Sequence, residues 1–210
     1  MPIFPTKCWK RWVNRLPTQS NRVQSNKVRI LGIDPGSLIT GFGIIESDGS
    51  HNQYIASGPI NIKGLIKDQI KDASLPERLK IIFEEVTAVI QTHKPEVVAV
   101  EQVFMNRNAD SALKLGQARG AAITAAVMQD LPVFEYTPRH IKQSVVGKGG
   151  ASKQQVLHMV KVLLNTRDEL QADESDALAV ALCHGHIGGT MERIEQQVKP
   201  TARRRVQNRK

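Results

Sequence analysis

The chain has 210 residues, 40% hydrophobic and 23% charged, enough apolar material to pack one domain and unlike the composition of a disordered or fibrous protein. No stretch approaches the roughly 18 to 20 consecutive apolar residues of a membrane-spanning helix, and the start carries no apolar signal-peptide core, so a soluble, cytoplasmic protein is expected. The net charge of +9 is concentrated at the ends: residues 1–29 and 198–210 hold thirteen basic residues and no acid, which leaves sixteen basic residues against all twenty acids between them, a net −4.

Residues 1–27 are basic and aperiodic and read as a tail, as do residues 191–210, bracketing one domain over 28–190. VRILGID, from Val28, predicts a buried strand ending at Asp34. TGFGIIES and YIASGPINI follow as antiparallel strands, with Asp48-Gly49 supplying the turn between them. Leu75, Leu79, Ile82, Phe83, Val86 and Ile90 then recur at helical spacing, and Pro95 stops the helix. EVVAVE is a short β-branched run of the kind buried on both faces of a sheet, and it ends at Glu101. Next come a helix near Ala109–Gln129, a strand over PVFEYT, a helix near Pro138–Val146 and the glycine-rich turn GKGG. A helix opens at Ser152, where Gln155 completes a capping-box pattern, and a last helix runs from about Asp173 to Cys183. Three strands, a helix, then alternating strands and helices predict an α/β, RNase H-like mixed five-stranded sheet flanked by helices.

Asp34 ends the first strand just before Pro35-Gly36 turns the chain away, so its carboxylate is placed at the sheet's end, although an Asp there would equally cap the turn. Glu101 ends an apolar central strand with no basic neighbour in sequence, and must find a partner elsewhere or cap a loop. Asp173 and Asp176 are three apart at the start of an apolar helix and share a face; compensation of the helix dipole would explain them as well. Brought together, the four would repel unless a cation joined them, and they supply the hard oxygen ligands that Mg²⁺ takes. Two such ions can activate a water and stabilise both the attacking and the leaving oxygen of a phosphodiester.

Arg139 to Arg167 forms a second signal, an acid-free run through Lys142, Lys148, Lys153 and Lys161 that predicts a positive strip or a solvated face. Cys8 and Cys183 have no spacing for a disulfide framework or zinc, and His184 and His186 are expected to close the last helix rather than bind metal.

The segments LGIDPGSLITGFGII, EQVFMNRNADSALKLGQARG, VFEYTPRHIKQSVVGKG and QADESDALAVALCH resemble the successive motifs of the RuvC family of Holliday-junction resolvases across residues 28 to about 186. The resemblance implies that Asp34, Glu101, Asp173 and Asp176 are catalytic metal ligands for two Mg²⁺ ions, with Mn²⁺ able to substitute. It implies functional roles on DNA for Lys142 and Lys153, and for Phe104 stacking on bases opened at the junction, where core packing is the alternative. A homodimer is implied too, Gly116 and Gly120 allowing close helix approach either between subunits or within one. Four-way junction DNA and the branch-migration proteins RuvA and RuvB are the implied partners. The chain departs from the family in its basic N-terminal extension and in LIKDQIKD before Leu75. Two other functions fit parts of the pattern: a non-catalytic branched-DNA-binding module, and an actin-like or sugar-kinase-type phosphate-binding domain, which the domain's size disfavours.

Overall fold

The computed structural model of the chain describes residues 27–62, 74–103, 109–167 and 169–198, with the side chains of the last helix as far as Ile187. Phe104, the LIKDQIKD stretch and most of both basic tails lie outside the described residues.

Strands β1 (Val28–Asp34), β2 (Ile39–Ser47) and β3 (Asn52–Asn61) form an antiparallel meander, followed by α1 (Leu75–His93) and β4 (Val97–Glu101). Then come α2 (Ala109–Met128), β5 (Val133–Tyr136), α3 (Pro138–Val146), α4 (Lys153–Leu163) and α5 (Ala172–Val198). The five strands pair in the order β3-β2-β1-β4-β5, with β4 parallel to both β1 and β5, as the sequence predicts for a mixed RNase H-like sheet. Pro59 sits in β3 because β3 is an edge strand, where one missing backbone donor breaks no ladder.

Each face of the sheet carries its own core. Leu31, Ile33, Ile44, Val98 and Val100 pack on one side with residues of α1 and α2, while Ile30, Ile45, Val97 and Ala99 pack on the other against α3, α4 and α5. The central strands β1 and β4 are therefore buried on both faces, which is why they read as continuous apolar runs rather than alternating ones. The capping box opens α4 as its sequence predicts: the Gln155 amide donates to Ser152 Oγ (3.3 Å) and the Ser152 amide to Gln155 Oε1 (2.9 Å).

The last helix differs from the sequence expectation. It runs past Cys183 to Val198, so His184 and His186 stand inside it and not at its end. His184 Nδ1 is 2.7 Å from the Tyr136 hydroxyl, and His186 lies between Ser144 Oγ (3.1 Å) and Asn52 Nδ2 (3.3 Å). These contacts fasten α5 to β5, α3 and β3 just where local apolar spacing alone would have ended the helix.

What sets the height of α5 above the sheet is a track of glycines. A β-carbon on Gly41 would overlap the carbonyl oxygen of Asp173, one on Gly32 would overlap that of Ala177, and one on Gly43 would stand 2.8 Å from the Leu178 nitrogen. Along this track the helix thus sets its backbone directly against the glycines of β1 and β2. We expect Gly41→Ala to cost about 2–3 kcal/mol by overpacking, read as a lowered melting temperature, whereas Gly116→Ala, whose added carbon meets nothing within 4 Å, should leave the fold as stable or slightly more so.

Candidate active site

The parallel register pairs Ile33 with Val100, so Asp34 and Glu101 emerge side by side at the C-terminal ends of adjacent strands. On the other side of β1, Asp34 pairs with Gly41, and the Asp173 backbone is pressed onto that glycine. The first turn of α5 is thereby held beside Asp34. Asp34, Glu101 and Asp176 line one pocket of about 250 Å³ together with Lys142 from α3 and Lys153 from α4. Pro138, Ile141, Val156 and Ala179 complete its walls. Asp173 is not among the lining residues, but its charge acts on both Asp34 and Lys153, which places it at the margin. Glu174, between the two aspartates, turns away and accepts a hydrogen bond from Ser57 Oγ on β3 (3.1 Å).

Burial and crowding raise the affinity of Asp34 and Glu101 for protons. Asp34 is pushed up to about 7, first by loss of water and then by the charges of Glu101, Asp176 and Asp173, with Lys153 opposing. Glu101 is also raised, again chiefly by burial and then by Asp176, while Lys153, a hydrogen bond from Asp34 and the charge of Lys142 pull it back. Burial, more than mutual repulsion, leads in both. Lys153 Nζ donates to Asp176 Oδ2 at 2.8 Å, and this bond raises the proton affinity of the lysine. The basic partners absent from the sequence around Glu101 are therefore supplied by α3 and α4.

The donor chemistry fits a divalent cation: four anionic oxygen groups with no sulfur or imidazole among them are the ligands of a hard ion such as Mg²⁺. Among the described residues no three acidic, imidazole or thiol groups stand close enough to enclose an ion as they are. Lys153 holds one oxygen of Asp176, and an ion and this ammonium would compete for the same carboxylate.

Sequence reasoning reached the acids and both lysines but passed over the pocket's apolar walls and Tyr136, which pairs with Glu101 across the β4–β5 register. Two signals for the walls were present: Ala179 lies three residues after Asp176 on α5, and Ile141 directly precedes Lys142.

The sheet is RNase H-like, and a pocket combining hard anionic ligands with two ammonium groups suits a polyanionic substrate handled with a metal ion, which defines a nuclease of the RNase H-like class. Residues 30–184 match the profile of the family described as crossover junction endodeoxyribonuclease RuvC. The RuvC of Pseudoalteromonas atlantica is 54% identical over 177 residues, covering 84% of this chain and 98% of that protein. The RuvC of Vibrio vulnificus is 52% identical over 176 residues, covering 84% and 97%. Among solved structures, Thermus thermophilus RuvC in complex with Holliday junction substrate superposes with a TM-score of 0.70 at 30% identity, covering 78% of this chain and 96% of that one. The yeast mitochondrial Holliday junction resolvase Ydc2 shares the fold at 12% identity and a TM-score of 0.60, covering 90% and 89%. The chain belongs to the RuvC family of crossover junction endodeoxyribonucleases, Holliday-junction resolvases whose nuclease chemistry is metal-dependent. Among the described residues no helix is long and apolar enough to cross a membrane.

The raised affinity of Asp34 has a consequence for stability. In the unfolded chain this group loses its proton near 3.8, but in the metal-free fold only near 7, so its stabilising contribution is complete below about pH 4 and is lost as pH rises through 7. At about 1.4 kcal/mol per unit the effect amounts to a few kcal/mol. In EDTA, the melting temperature of Asp34→Asn should exceed that of the parent chain at pH 8 and converge with it near pH 4; equal melting curves at both pH values would show Asp34 to be solvated and uncoupled.

Proposed function

We propose that this chain resolves four-way DNA junctions in recombination and repair by symmetric hydrolysis of two phosphodiester bonds. In this reading Asp34, Glu101, Asp173 and Asp176 hold two Mg²⁺ ions, with Mn²⁺ able to replace them. One observation carries the reading: the register Ile33↔Val100 and the Gly41–Asp173 contact bring acids from three separate segments to one pocket that also receives two lysines. A solved RuvC was captured with a Holliday junction substrate, and the same substrate is proposed here. When bound, the ions would supply Lewis-acid charge to the scissile phosphate and its leaving oxygen.

The chain's own groups do the rest. Lys142 attracts the phosphate backbone into the pocket, as a lysine free of base contacts does on any sequence. Lys153 neutralises Asp176 in the absence of substrate and is placed to turn its ammonium toward phosphate once that carboxylate is engaged elsewhere. Ile141, Val156 and Ala179 keep bulk water from the inner wall, which strengthens every charge interaction beside it. Phe104 is proposed to stack on an opened base.

Substituting Asn or Gln for each of the four acids in turn should lower cleavage of a synthetic four-way junction by at least about 10²-fold while leaving junction binding in place. Near-normal turnover by any one variant would remove that residue from the site, and binding without cleavage by the parent chain in Mg²⁺ would favour the non-catalytic module.

A second part of the proposal concerns assembly. Gly116 and Gly120 lie on an open stretch of α2, where a β-carbon would meet nothing within 4 Å, and Leu113 and Val127 are exposed on the same helix. Among the described residues, packing within one subunit does not use these glycines. We assign this stripe to a two-fold homodimer, which suits symmetric incision of a junction. Gly120→Leu should therefore yield a monomer by light scattering with an unlowered melting temperature at low concentration, whereas a persistent dimer would place the interface elsewhere. Family membership also points to joint action with RuvA and RuvB in the cytoplasm.

A further inference from the structure

The β1–β2 turn presents an apolar tip beside the pocket that neither the core nor the acid cluster uses. Leu38 is 46% exposed and Ile39 is 39% exposed, consecutive in sequence, in the segment that leaves Asp34 and returns to its strand partner Gly41. Single exposed apolar residues are ordinary on a protein surface; two together, on a turn built as this one is, have a definite placement. The buried Thr40 hydroxyl donates to the Gly36 carbonyl (2.9 Å) and receives the Gly36 amide (3.2 Å), cinching the turn across four residues. A β-carbon on Gly36 would overlap the Ile39 carbonyl, so the turn closes only with glycine there. Ile39 is further anchored by its pairing with Asn61 of β3. The turn is therefore fastened on both sides of Leu38.

Its distance from the acids is bounded by the chain. Leu38 is four residues from Asp34, so at roughly 3.3–3.6 Å per residue it lies within about 14 Å of that strand end. Ile39 stands one strand over from β1, and strands are about 4.8 Å apart. Across the strand order β3-β2-β1-β4-β5, the apolar tip is on the β2 side of Asp34 and Glu101, while Lys142 enters from the helix that follows β5. A nucleic-acid strand crossing the acids meets ammonium groups on one flank and aliphatic carbon on the other. Phosphates are drawn to the lysines. The aliphatic flank has nothing to offer a phosphate, but a base or sugar face leaves water on touching it, and Leu and Ile are side chains that wedge against unstacked base steps.

We propose, on the reading of the site as a junction nuclease, that Leu38 with Ile39 is an apolar wedge that contacts the nucleotide beside the scissile phosphate and holds it out of the stack, positioning the phosphate over the acids. Leu38 is thus a positioning residue. Its loss should slow the bond-breaking step more than binding, because the charge contacts that dominate affinity stay intact.

The test uses the full chain with Leu38→Ser, the longer polar variant Leu38→Gln, and Leu38→Met. It follows single-turnover junction cleavage in Mg²⁺ and the fluorescence of 2-aminopurine placed next to the scissile phosphate. Both polar variants should cleave about tenfold more slowly and lose most of the binding-induced fluorescence rise, with junction affinity within about threefold of the parent; Leu38→Met should keep rate and rise. Melting temperatures should be unchanged, since the side chain contributes to neither core. If the polar variants cleave and fluoresce like the parent, the wedge is refuted while the nuclease reading stands. Failure of the parent chain itself to cut the junction would overturn both.

Discussion

Everything at the acidic pocket depends on how closely α5 can approach the sheet. An ordinary helix rides on a layer of side chains, which would lift Asp173 and Asp176 well above the strand ends. Here Gly32, Gly41 and Gly43 remove that layer from β1 and β2, and the helix answers with its own small residues, Ala177, Ala181 and Gly185, each four apart and so on one face. Gly185 meets Ser47 and Asn52 at the far end of β2, so the contact runs the length of the hairpin. Residues some 140 positions apart in sequence thereby come within Coulomb range. The same close fit makes the arrangement intolerant: one added carbon at Gly41 strikes backbone, which cannot swing aside as a side chain would.

That packing holds the acids in an unfavourable state. Asp34 and Glu101 are drawn out of water and set beside other carboxylates, and both respond by holding protons more tightly. Lys153 and Lys142 offset part of this, Lys153 through a direct bond to Asp176. Such strain is tolerable because the two apolar cores on either side of the sheet stabilise the frame independently of the pocket. A site assembled this way gains from any added cation and from a substrate that gives its lysines phosphates to face. A cation and a phosphate-bearing substrate would thus be thermodynamically linked through the same charges.

Much of this was legible in the sequence because the signals were local. Strand-ending acids next to Pro35-Gly36, the β-branched run before Glu101, the helical period of α1 and the Ser152–Gln155 box all rest on neighbours within a few residues, and the structure has each where its pattern indicates. What escaped was non-local. Just past Cys183, α5 is held by hydrogen bonds of His184 and His186 with Tyr136, Ser144 and Asn52, none near it in sequence. The glycines of β1 and β2 read locally as weak strand residues, and their use appears only when a helix from the other end of the chain lies on them. The acid-free run from Arg139 to Arg167 suggested one positive strip, but two of its lysines come from different helices and turn into the acidic pocket.

The position of the pocket follows from topology as much as from chemistry. From β1 the chain first moves outward through β2 and β3, then returns through α1 to lay β4 on the opposite side of β1. β1 leads on to β2 on one side and β4 to β5 on the other, and open sheets bind ligands at such divergence points. Asp34 and Glu101 are the last residues of those two strands and so occupy the crevice. The segments that flank it then differ in kind: a tight, glycine-closed turn toward β2 and the N-terminal parts of two helices bearing lysines toward β5. On the reading proposed above, an asymmetric crevice of this sort would give a bound strand a direction, with backbone toward one flank and bases toward the other, before any individual base is recognised.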